Sequence, residues 1–336
     1  MILIATYSQD MATIKPVAEI LKAGGDDVLI YLADNVASGK AKMSIKIDKN
    51  GDAALSYSGK TFKPGDIEAA WYRRPNAFSH EPLDKVFSIY YDRQRKACQD
   101  AMWFSIPPER WLNPPEILDS TRIQNKIYQL KTANELGFTT PVSFVGNDWN
   151  DLDAHLGRQD LILKLPNGRL YKEHQPHFLI TQIISYGQRE NLRKTVPFPG
   201  IWQQYVNKKR EWRVTVVGDK AFPAAIYTKG VAKSDWRKYQ FDKRRVIFKA
   251  EKLPEDIISM CVKMLKQIGV RFGAFDLIEN EKGEFVFLEM NLSGQYQWLV
   301  EELGLKIPAA IADELISIKN KKILLTQSLV HTDVIY

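Results

Sequence analysis

The chain has 336 residues, of which 45% are hydrophobic and 26% are charged, a balance typical of a soluble globular protein with two or three domains. No apolar run approaches the ~18 residues that a membrane-spanning helix needs, and the start of the chain lacks the basic segment of a signal peptide. We therefore expect a cytoplasmic protein with no membrane partner. The net charge of +7 favours an acidic partner, such as a phosphate compound, a nucleic acid or a carboxylate-rich substrate.

The sequence has neither a disulfide framework nor a zinc-binding pattern. Its two cysteines, Cys98 and Cys261, lie far apart, and its five histidines form no metal-spaced cluster with them. We therefore expect two inert thiols and a chemistry that other side chains carry.

The N-terminal pattern predicts a βαβ unit and hence a parallel sheet. An apolar strand over 2–7 is followed by a helix over 11–23 and a second strand over 28–33. The first strand is not followed by GxGxxG, so a dinucleotide site of that type is not predicted. Beyond this unit we expect a two-stranded hairpin, a strand and a long amphipathic helix over 43–62, 67–75 and 83–104.

A proline-rich segment divides the chain. Residues 106–116 hold four prolines in eleven positions, which excludes a regular helix or a central strand. We place one domain boundary there and another near residue 200, where the pattern changes. The predicted domains are 1–115, 116–200 and 201–336. The elements predicted beyond the first boundary are helices over 120–136, 254–268 and 308–319, strands over 139–145, 161–166 and 201–206, and strand pairs over 212–227 and 273–291.

Two acids and an asparagine are embedded in the last strand pair. If its strands pair through the turn at 280–283, Asp276 and Glu289 come side by side, and alternation places Phe287, Glu289 and Asn291 on one face. Two carboxylates and an amide oxygen suit Mg²⁺, which completes its shell with water and substrate phosphates. The alternative is an ordinary hairpin with solvated acids, but unpaired acids are costly among so many apolar residues.

Several basic residues are predicted to meet an anion. Lys164 lies inside an apolar strand and therefore needs a negative partner, for which an ATP phosphate is a candidate. Arginine forks fit phosphate and carboxylate oxygens, which makes Arg213, Arg237 and Arg271 candidates. A surface position is the alternative for each arginine and for Lys126, and Arg213 fits that alternative least because it lies within a strand pattern.

The order of these residues resembles that of the ATP-grasp carboxylate ligases over about residues 65–310. The features that carry the resemblance are Lys126, Lys164, QQYV at 203–206, E-x-R at 211–213 and D-x12-E-x-N at 276–291. Three further segments are similar to the microviridin-type (graspetide) ligases, which cyclise ribosomally made peptides: WYRRP at 71–75, SDWR at 234–237 and NLSGQYQW at 291–298. The resemblance implies an α/β (α+β) ATP-grasp fold, in which an N-terminal parallel-sheet pre-ATP-grasp domain precedes a small central domain and a C-terminal domain that clamp ATP between them.

The resemblance also implies a role for each residue. Those implied in ATP binding are Lys126 and Lys164 for the phosphates, the backbone of Gln203, Gln204, Tyr205 and Val206 for adenine, and Glu211 for the sugar. Those implied in catalysis, through the γ-phosphate and the acyl phosphate, are Arg213 and Arg237. The implied ligands of two Mg²⁺ ions are Asp276, Glu289 and Asn291. The arginines that would bind an acidic substrate are Arg73, Arg74 and Arg271, with a surface pair at a strand end as the alternative for the first two.

Two positions depart from the family pattern. Gln204 stands where such hinges usually carry Glu, which matters little if the backbone recognises adenine. The segment 166–178 has only Gly168, whereas many relatives cover the phosphates with a glycine-rich loop, so Arg169 or Lys172 is left to take that role.

The implied reaction joins a carboxylate to an amine or a hydroxyl. In the graspetide interpretation, Asp or Glu side chains of a precursor peptide with leader and core are activated as acyl phosphates and linked to Thr, Ser or Lys of the same peptide. The alternatives are a ligase that adds an amino acid to a protein or joins small molecules, and a nucleotide sensor or nucleic-acid-binding protein without ligase activity. The intact set of Asp276, Glu289 and Asn291 disfavours a sensor, and we do not expect a nucleic-acid partner. A homodimer is left open.

Overall fold

The computed structural model describes residues 1–75, 85–164, 169–172, 175–178, 182–195, 199–229, 236–239 and 242–330. Three predicted features lie outside these residues: Gly168, the side chains of Arg169 and Lys172, and the first half of the SDWR segment. Among the described helices, none is long and apolar enough to cross a membrane.

The N-terminal part contains a parallel sheet of three strands, as the βαβ pattern predicts. Its elements are β1 (Ile2–Thr6), α1 (Met11–Ala23), β2 (Val28–Leu32), α2 (Ala33–Ala37), β3 (Met43–Ile47), β4 (Ala53–Tyr57), β5 (Lys60–Phe62), β6 (Ala69–Tyr72) and α3 (Lys85–Phe104). The strand order is β2-β1-β6. Alternate side chains of β1 enter two different core clusters, which explains why this strand is apolar and buried along its whole length.

The predicted two-stranded hairpin is a three-stranded antiparallel sheet, β3-β4-β5. The additional strand follows a tight turn at Ser58 and Gly59, whose φ angles are 49° and 86°. Two consecutive positive φ angles match the twist of a hairpin, so the turn returns the chain onto β4. The prediction of two strands was therefore wrong by one short strand.

The next part begins with short helices and contains a second sheet. Its elements are α4 (Pro115–Leu118), α5 (Thr121–Gln124), α6 (Lys126–Glu135), β7 (Ser143–Gly146), α7 (Trp149–Leu156), β8 (Leu161–Lys164), β9 (Arg169–Lys172), β10 (Gln175–Phe178), β11 (Gln182–Ile184), α8 (Tyr186–Thr195) and β12 (Gly200–Gln204). The sheet is antiparallel with the order β11-β8-β12-β7, and β9 pairs with β10 in a separate two-stranded sheet. Because β12 belongs to this sheet, the predicted boundary at residue 201 falls at the beginning of one of its strands. The domain division stays a prediction.

The predicted helix over 120–136 is interrupted at Asn125. This residue has extended dihedral angles, φ −70° and ψ 120°, and its side-chain oxygen accepts hydrogen bonds from the N–H groups of Ile127 and Tyr128 at 2.9 and 3.3 Å. An asparagine that caps a new helix competes with continuation of the preceding one. The interruption makes Lys126 the first residue of α6.

The C-terminal part is a five-stranded antiparallel sheet with helices. Its elements are β13 (Lys208–Val217), β14 (Lys220–Thr228), β15 (Val246–Ala250), α9 (Glu255–Ile268), β16 (Phe272–Asn280), β17 (Phe285–Asn291), α10 (Gln297–Leu303) and α11 (Ile307–Val330). The strand order is β15-β14-β13-β16-β17, which leaves β17 at one edge. As predicted, α9 ends at a glycine: Gly269 has a φ of 83°.

The core joins the N-terminal and C-terminal parts. One cluster contains Trp103 and Trp111 together with Trp212 and Phe287 of the large sheet. A second cluster packs α1 and β6 against α11. The two sheets therefore share apolar cores, and their relative position is fixed by packing as well as by the connecting chain.

We expect Asn125→Ala to lower the free energy of unfolding by about 1 kcal/mol, the usual cost of losing a helix cap. Asn125→Asp keeps a capping oxygen and should stay within a few tenths of wild type. Chemical denaturation followed by far-UV circular dichroism measures both. Equal stability of wild type and the alanine variant would show that the break at Asn125 does not depend on its cap.

Candidate active site

The strand pair β16 and β17 places two carboxylates directly opposite each other. Asp276 pairs with Glu289, and Asn291 pairs with Ala274 at the end of the ladder. The side-chain oxygen of Asn291 accepts the N–H of Ser293 at 2.9 Å. The predicted hairpin and the proximity of its two acids are thus present in the structure.

A β-bulge at Leu288 corrects one detail of the prediction. The register shifts between Asp276 and Leu277, so that Leu277 pairs with Phe287 and an additional residue is inserted before Glu289. Phe287 and Leu277 are both fully buried in the same cluster. Residues two positions apart, such as Phe287 and Glu289, share a face in a regular strand. Here Phe287 pairs with Leu277 and Glu289 pairs with Asp276, and these neighbouring partners point to opposite faces. The bulge therefore places Glu289 and Phe287 on opposite faces.

Two arginines contact the carboxylate of Asp276. Arg213 is its partner across the β13–β16 ladder, with Nη1 3.1 Å from Oδ1, and Arg237 donates from Nη2 to Oδ2 at 3.1 Å. Arg213 is buried, and its Nε has no hydrogen-bond partner among the described residues. Arg237 is half exposed and lies beside the buried ring of Trp236, 5.4 Å from its centroid. Unsatisfied guanidinium N–H groups inside a site are what an oxyanion would satisfy.

Two lysines from different elements complete the charged cluster. Lys126 lies at the beginning of α6 with Nζ 2.5 Å from Oε2 of Glu289. Lys164 ends β8, where it pairs with Ile201 in the central sheet. The charges of Glu289, Lys126, Asp276 and Arg237 all act on the Lys164 amine, so the structure brings it to the same site.

The pKa values in this cluster reflect desolvation and close charges. Desolvation lowers the pKa of Lys164 to about 8, although Glu289 acts in the opposite direction. Desolvation opposes ionisation of Glu289, but the charges of Lys126 and Lys164 outweigh it and hold the pKa of Glu289 at about 2. Desolvation raises the pKa of Asp276 even though Arg213 and Arg237 stabilise its ionised form.

The predicted adenine-binding hinge connects the central sheet to the large sheet. Gln203 is buried and donates from its side chain to Oγ of Ser143 at 2.9 Å, so its side chain is committed to the sheet. Tyr205 and Val206 follow the end of β12 and precede β13. Burial, and next the charge of Glu211, raise the pKa of Tyr205, which indicates that Glu211 lies near the hinge. Gln204 occupies the last position of β12.

The three arginines predicted to bind substrate have different positions. Arg73 is only 1% exposed, with Nε 2.9 Å from Oδ2 of Asp10. Its Nη1 donates to the carbonyl oxygens of Ser293 and Gly294 at 2.8 and 3.2 Å, and its Nη2 donates to Oε1 of Gln295 at 2.7 Å. These contacts make Arg73 a tie between the parallel sheet and the loop after β17. A direct contact with substrate does not fit its burial.

The other two arginines flank strands of different sheets: Arg74 follows β6, and Arg271 precedes β16. Arg74 is half-buried and has a φ of 52°, a left-handed conformation that is rare for a residue other than glycine. It directly follows Arg73, beside the loop after β17. Arg271 pairs with Glu314 at 2.6 Å and precedes Asp276 by five residues, about 17 Å along a strand. The structure does not bring Arg271 to the acidic pair.

Residues that the sequence did not predict hold the loop after β17. Asn113 is buried and donates to the carbonyl oxygens of Phe272 and Leu292 at 2.8 and 3.1 Å. At Gly294, an added Cβ would lie 2.3 Å from the Cβ of Ala274, so the loop approaches β16 more closely than a side chain allows. An asparagine among prolines and a glycine in a loop have many other uses, so the sequence carried no specific signal for either.

The donor set fits Mg²⁺ in the presence of a phosphate ligand. Within the described part of the chain, His, Cys, Asp and Glu side chains do not gather in groups of three or more around a metal position. The candidate site instead has two opposed carboxylates and the Asn291 amide, and Mg²⁺ in nucleotide sites uses one or two carboxylates together with phosphates and water. The buried Nε of Arg213, which has no hydrogen-bond partner among the described residues, fits the same phosphate ligand.

Comparisons with known proteins point to one class. Residues 1–119 match the family model described as the MvdD pre-ATP grasp domain. A RiPP-associated ATP-grasp ligase of Chryseobacterium gregarium, solved with ADP and a leader and core peptide, is 27% identical, with a TM-score of 0.82 over 94% of this chain and 96% of that one. The macrocyclase MdnC of Microcystis aeruginosa MRC, bound to the precursor peptide MdnA, is 23% identical, with a TM-score of 0.80 over 94% and 99%. MdnB of the same organism is 25% identical, with a TM-score of 0.73 over 94% and 98%. No curated protein matched the sequence.

The fold is that of the ATP-grasp ligases, as predicted, and the comparisons support an ATP-dependent ligase. Within that class, the predicted resemblance to the microviridin-type peptide ligases is confirmed. The parallel N-terminal sheet corresponds to the predicted pre-ATP-grasp domain.

The low pKa of Lys164 predicts that ADP binding weakens as the pH rises. Its amine must be protonated to attract phosphate, and in the free protein it loses its proton at a pH of about 8. We expect the ADP affinity without metal to fall several-fold between pH 7 and pH 9. Lys164→Arg should remove most of this decline because arginine stays charged. Calorimetric titration at both pH values measures it, and identical pH dependence in both proteins would exclude Lys164 as the cause.

We expect Gly294→Ala to destabilise the protein by about 1–3 kcal/mol, because the added methyl overlaps Ala274 and displaces the loop that Arg73 holds. Gly65→Ala is the matched control, since nothing lies within 4 Å of a Cβ there. Differential scanning calorimetry compares the two variants. A melting temperature for Gly294→Ala equal to that of the control would contradict the close approach.

Proposed function

We propose that this chain activates Asp or Glu side-chain carboxylates of a ribosomally made precursor peptide as acyl phosphates. It then links them to Thr, Ser or Lys of the same peptide as esters or amides, with release of ADP and phosphate. The observation that carries the proposal is one row across three strands, Arg213, Asp276 and Glu289, with Arg237 and Lys126 in contact with its carboxylates. This row lies in a fold shared with ligases that were solved with precursor peptides.

The residues divide the work of binding ATP. Lys126 and Lys164 attract the phosphates, and the backbone of residues 203–206, with Glu211, receives the nucleoside. Asp276, Glu289 and Asn291 would hold Mg²⁺, as two ions in our proposal, and the metal would supply positive charge for the phosphate oxygens. The ammonium of Lys126 contacts Glu289 and would be available to a phosphate oxygen if Glu289 served a metal ion instead.

The chemistry consists of two transfers. In the first, a carboxylate oxygen of the substrate forms a bond to the γ-phosphorus while the bond from that phosphorus to the bridging oxygen breaks, and ADP leaves. Arg213 and Arg237 stabilise the charge on the transferring phosphoryl group, and burial of Arg213 strengthens this interaction. In the second, a hydroxyl or an amine attacks the acyl carbon, and phosphate leaves with the bonding electrons. The nucleophile's proton passes to solvent or phosphate.

An acidic peptide suits the charge of the chain. The net charge of +7 attracts acidic residues, and we propose Arg74 as the arginine that meets a substrate carboxylate. The related enzymes from Chryseobacterium and Microcystis were solved with leader and core, or precursor, peptides, which supports a peptide of that kind here. Because ATP is supplied in the cytoplasm, we place the reaction there.

Mass spectrometry of an Asp- and Glu-rich peptide encoded beside the gene, incubated with enzyme, ATP and Mg²⁺, tests the proposal. ATP-dependent loss of whole water masses is expected. A mass gain would mean ligation of a second molecule to a protein or peptide. ATP hydrolysis only with another carboxylate, without a change in peptide mass, would overturn the peptide substrate and keep the ligase assignment.

We expect Glu289→Gln to reduce ATP-dependent water loss by at least ~100-fold, because an amide replaces a charged oxygen ligand opposite Asp276. Glu284→Gln makes the same change on an exposed residue of the same hairpin, and its oxygen can still accept from Nδ2 of Asn280, so it should retain activity. Circular dichroism confirms that both variants are folded. Undiminished turnover by Glu289→Gln would remove Glu289 from the metal site.

A further inference from the structure

The end of β17 is held by a buried glutamine that belongs to another element. Gln129 lies on α6 and is 4% exposed. Its Nε2 donates to the carbonyl oxygen of Met290 at 3.0 Å, and its Oε1 accepts the N–H of Met290 at 3.0 Å. A third bond runs from Nε2 to the carbonyl oxygen of Ile123 at 2.9 Å. Gln129 therefore holds both peptide groups of the residue between Glu289 and Asn291.

The position of β17 explains why this contact matters. Among the described residues β17 lies at the edge of its sheet, with one isolated bridge from Thr139 to Val286, and no strand pairs with the backbone groups of Met290 that point away from β16. Immediately before this point the bulge at Leu288 interrupts the regular ladder. The segment that carries two proposed metal ligands is thus less constrained by its sheet than an ordinary strand, and the amide of Gln129 takes the place of a missing ladder partner.

The same helix also carries the phosphate lysine. Gln129 follows Lys126 by three residues, so both side chains lie on one face of α6, and both reach β17. The bond to Ile123 further fixes the amide against the chain before the helix. α6 therefore connects the group that contacts Glu289 with the group that fixes the backbone beside it.

We propose that Gln129 is a positioning residue for the metal site: by fixing both peptide groups of Met290, it sets the directions of Glu289 and Asn291 and couples them to Lys126. This inference rests on the proposed function, because it assigns a role toward Mg²⁺. Partners that orient metal ligands typically change metal affinity 10–100-fold when removed. A glutamine within a helix has no sequence signal, so this residue was not predicted.

The test compares ADP binding in Mg²⁺ with ADP binding in EDTA for the full-length protein, by calorimetric titration. The ratio of the two affinities measures how strongly Mg²⁺ and ADP bind together. For Gln129→Met we expect this ratio to fall by about 10–100-fold, whereas the affinity in EDTA stays close to wild type. Gln129→Asn keeps an amide on a shorter side chain, and we expect it to fold and to show the same fall in the affinity ratio. It replaces Gln129→Met in the test if that variant does not fold.

Gln99→Met is the matched control for loss of a buried glutamine. Gln99 is also 4% exposed, and its amide bonds Tyr31 and Arg95 in the N-terminal part, away from the site. It should lower the melting temperature and leave the ratio unchanged. If wild type shows Mg²⁺-dependent ADP binding, either of two results would overturn the inference. One is an unchanged affinity ratio in a folded Gln129 variant, and the other is an equal fall of the ratio in Gln99→Met. No Mg²⁺ dependence in wild type would overturn the proposed metal site itself.

Discussion

The antiparallel register of β13, β16 and β17 is the constraint on which the site depends. It aligns Arg213, Asp276 and Glu289 in one row, so that a buried guanidinium and two carboxylates meet without a loop to arrange them. A shift of one residue in either ladder would point one of these three side chains toward the apolar core and bring a core side chain to the site. The core opposes such a shift, because Leu277 and Phe287, the ladder pair that follows Asp276 and Glu289, are fully buried on the opposite face.

The charged side chains of this site come from several elements, and each of them needs an opposite charge nearby to offset the cost of its burial. Lys164 comes from the central sheet, Lys126 from α6 and Arg237 from a short 3-10 turn, and each lies near an acid of the large sheet. Burying a charge is costly unless an opposite charge compensates, which ties the separate elements to one another. Among the described residues the buried Nε of Arg213 has no hydrogen-bond partner, which favours binding of an anion at this position.

Buried polar side chains connect the parts of the molecule at the end of β17. Arg73 from the parallel sheet, Asn113 from the proline-rich segment and Gln129 from α6 each bond the backbone between Met290 and Gln295. The N-terminal part therefore contributes to the site by fixing the loop that follows the two proposed metal ligands. Such ties are directional, unlike apolar packing, and they define one position for the loop.

Much of the fold and part of the candidate site could be predicted from the sequence. The apolar run of β1, the glycine that ends α9 and the acids within two apolar strands each follow from local physical chemistry, and they led to the parallel sheet, the antiparallel hairpin and the acidic pair. The order of Lys126, Lys164 and the acidic motif led to the ATP-grasp class. These signals are local or depend on order along the chain, so a sequence carries them completely.

Only the tertiary structure decided which residues meet. The bulge at Leu288 reversed the face of Phe287, the cap at Asn125 divided one helix, and burial turned Arg73 from a predicted substrate contact into a tie between two parts. Arg271 was found on Glu314, far along its strand from Asp276. The physical reason is common to all of them: an arginine, an asparagine or a glutamine has several equally good hydrogen-bonding partners in principle. Packing over long sequence separations selects one of these partners, and no local pattern encodes that choice.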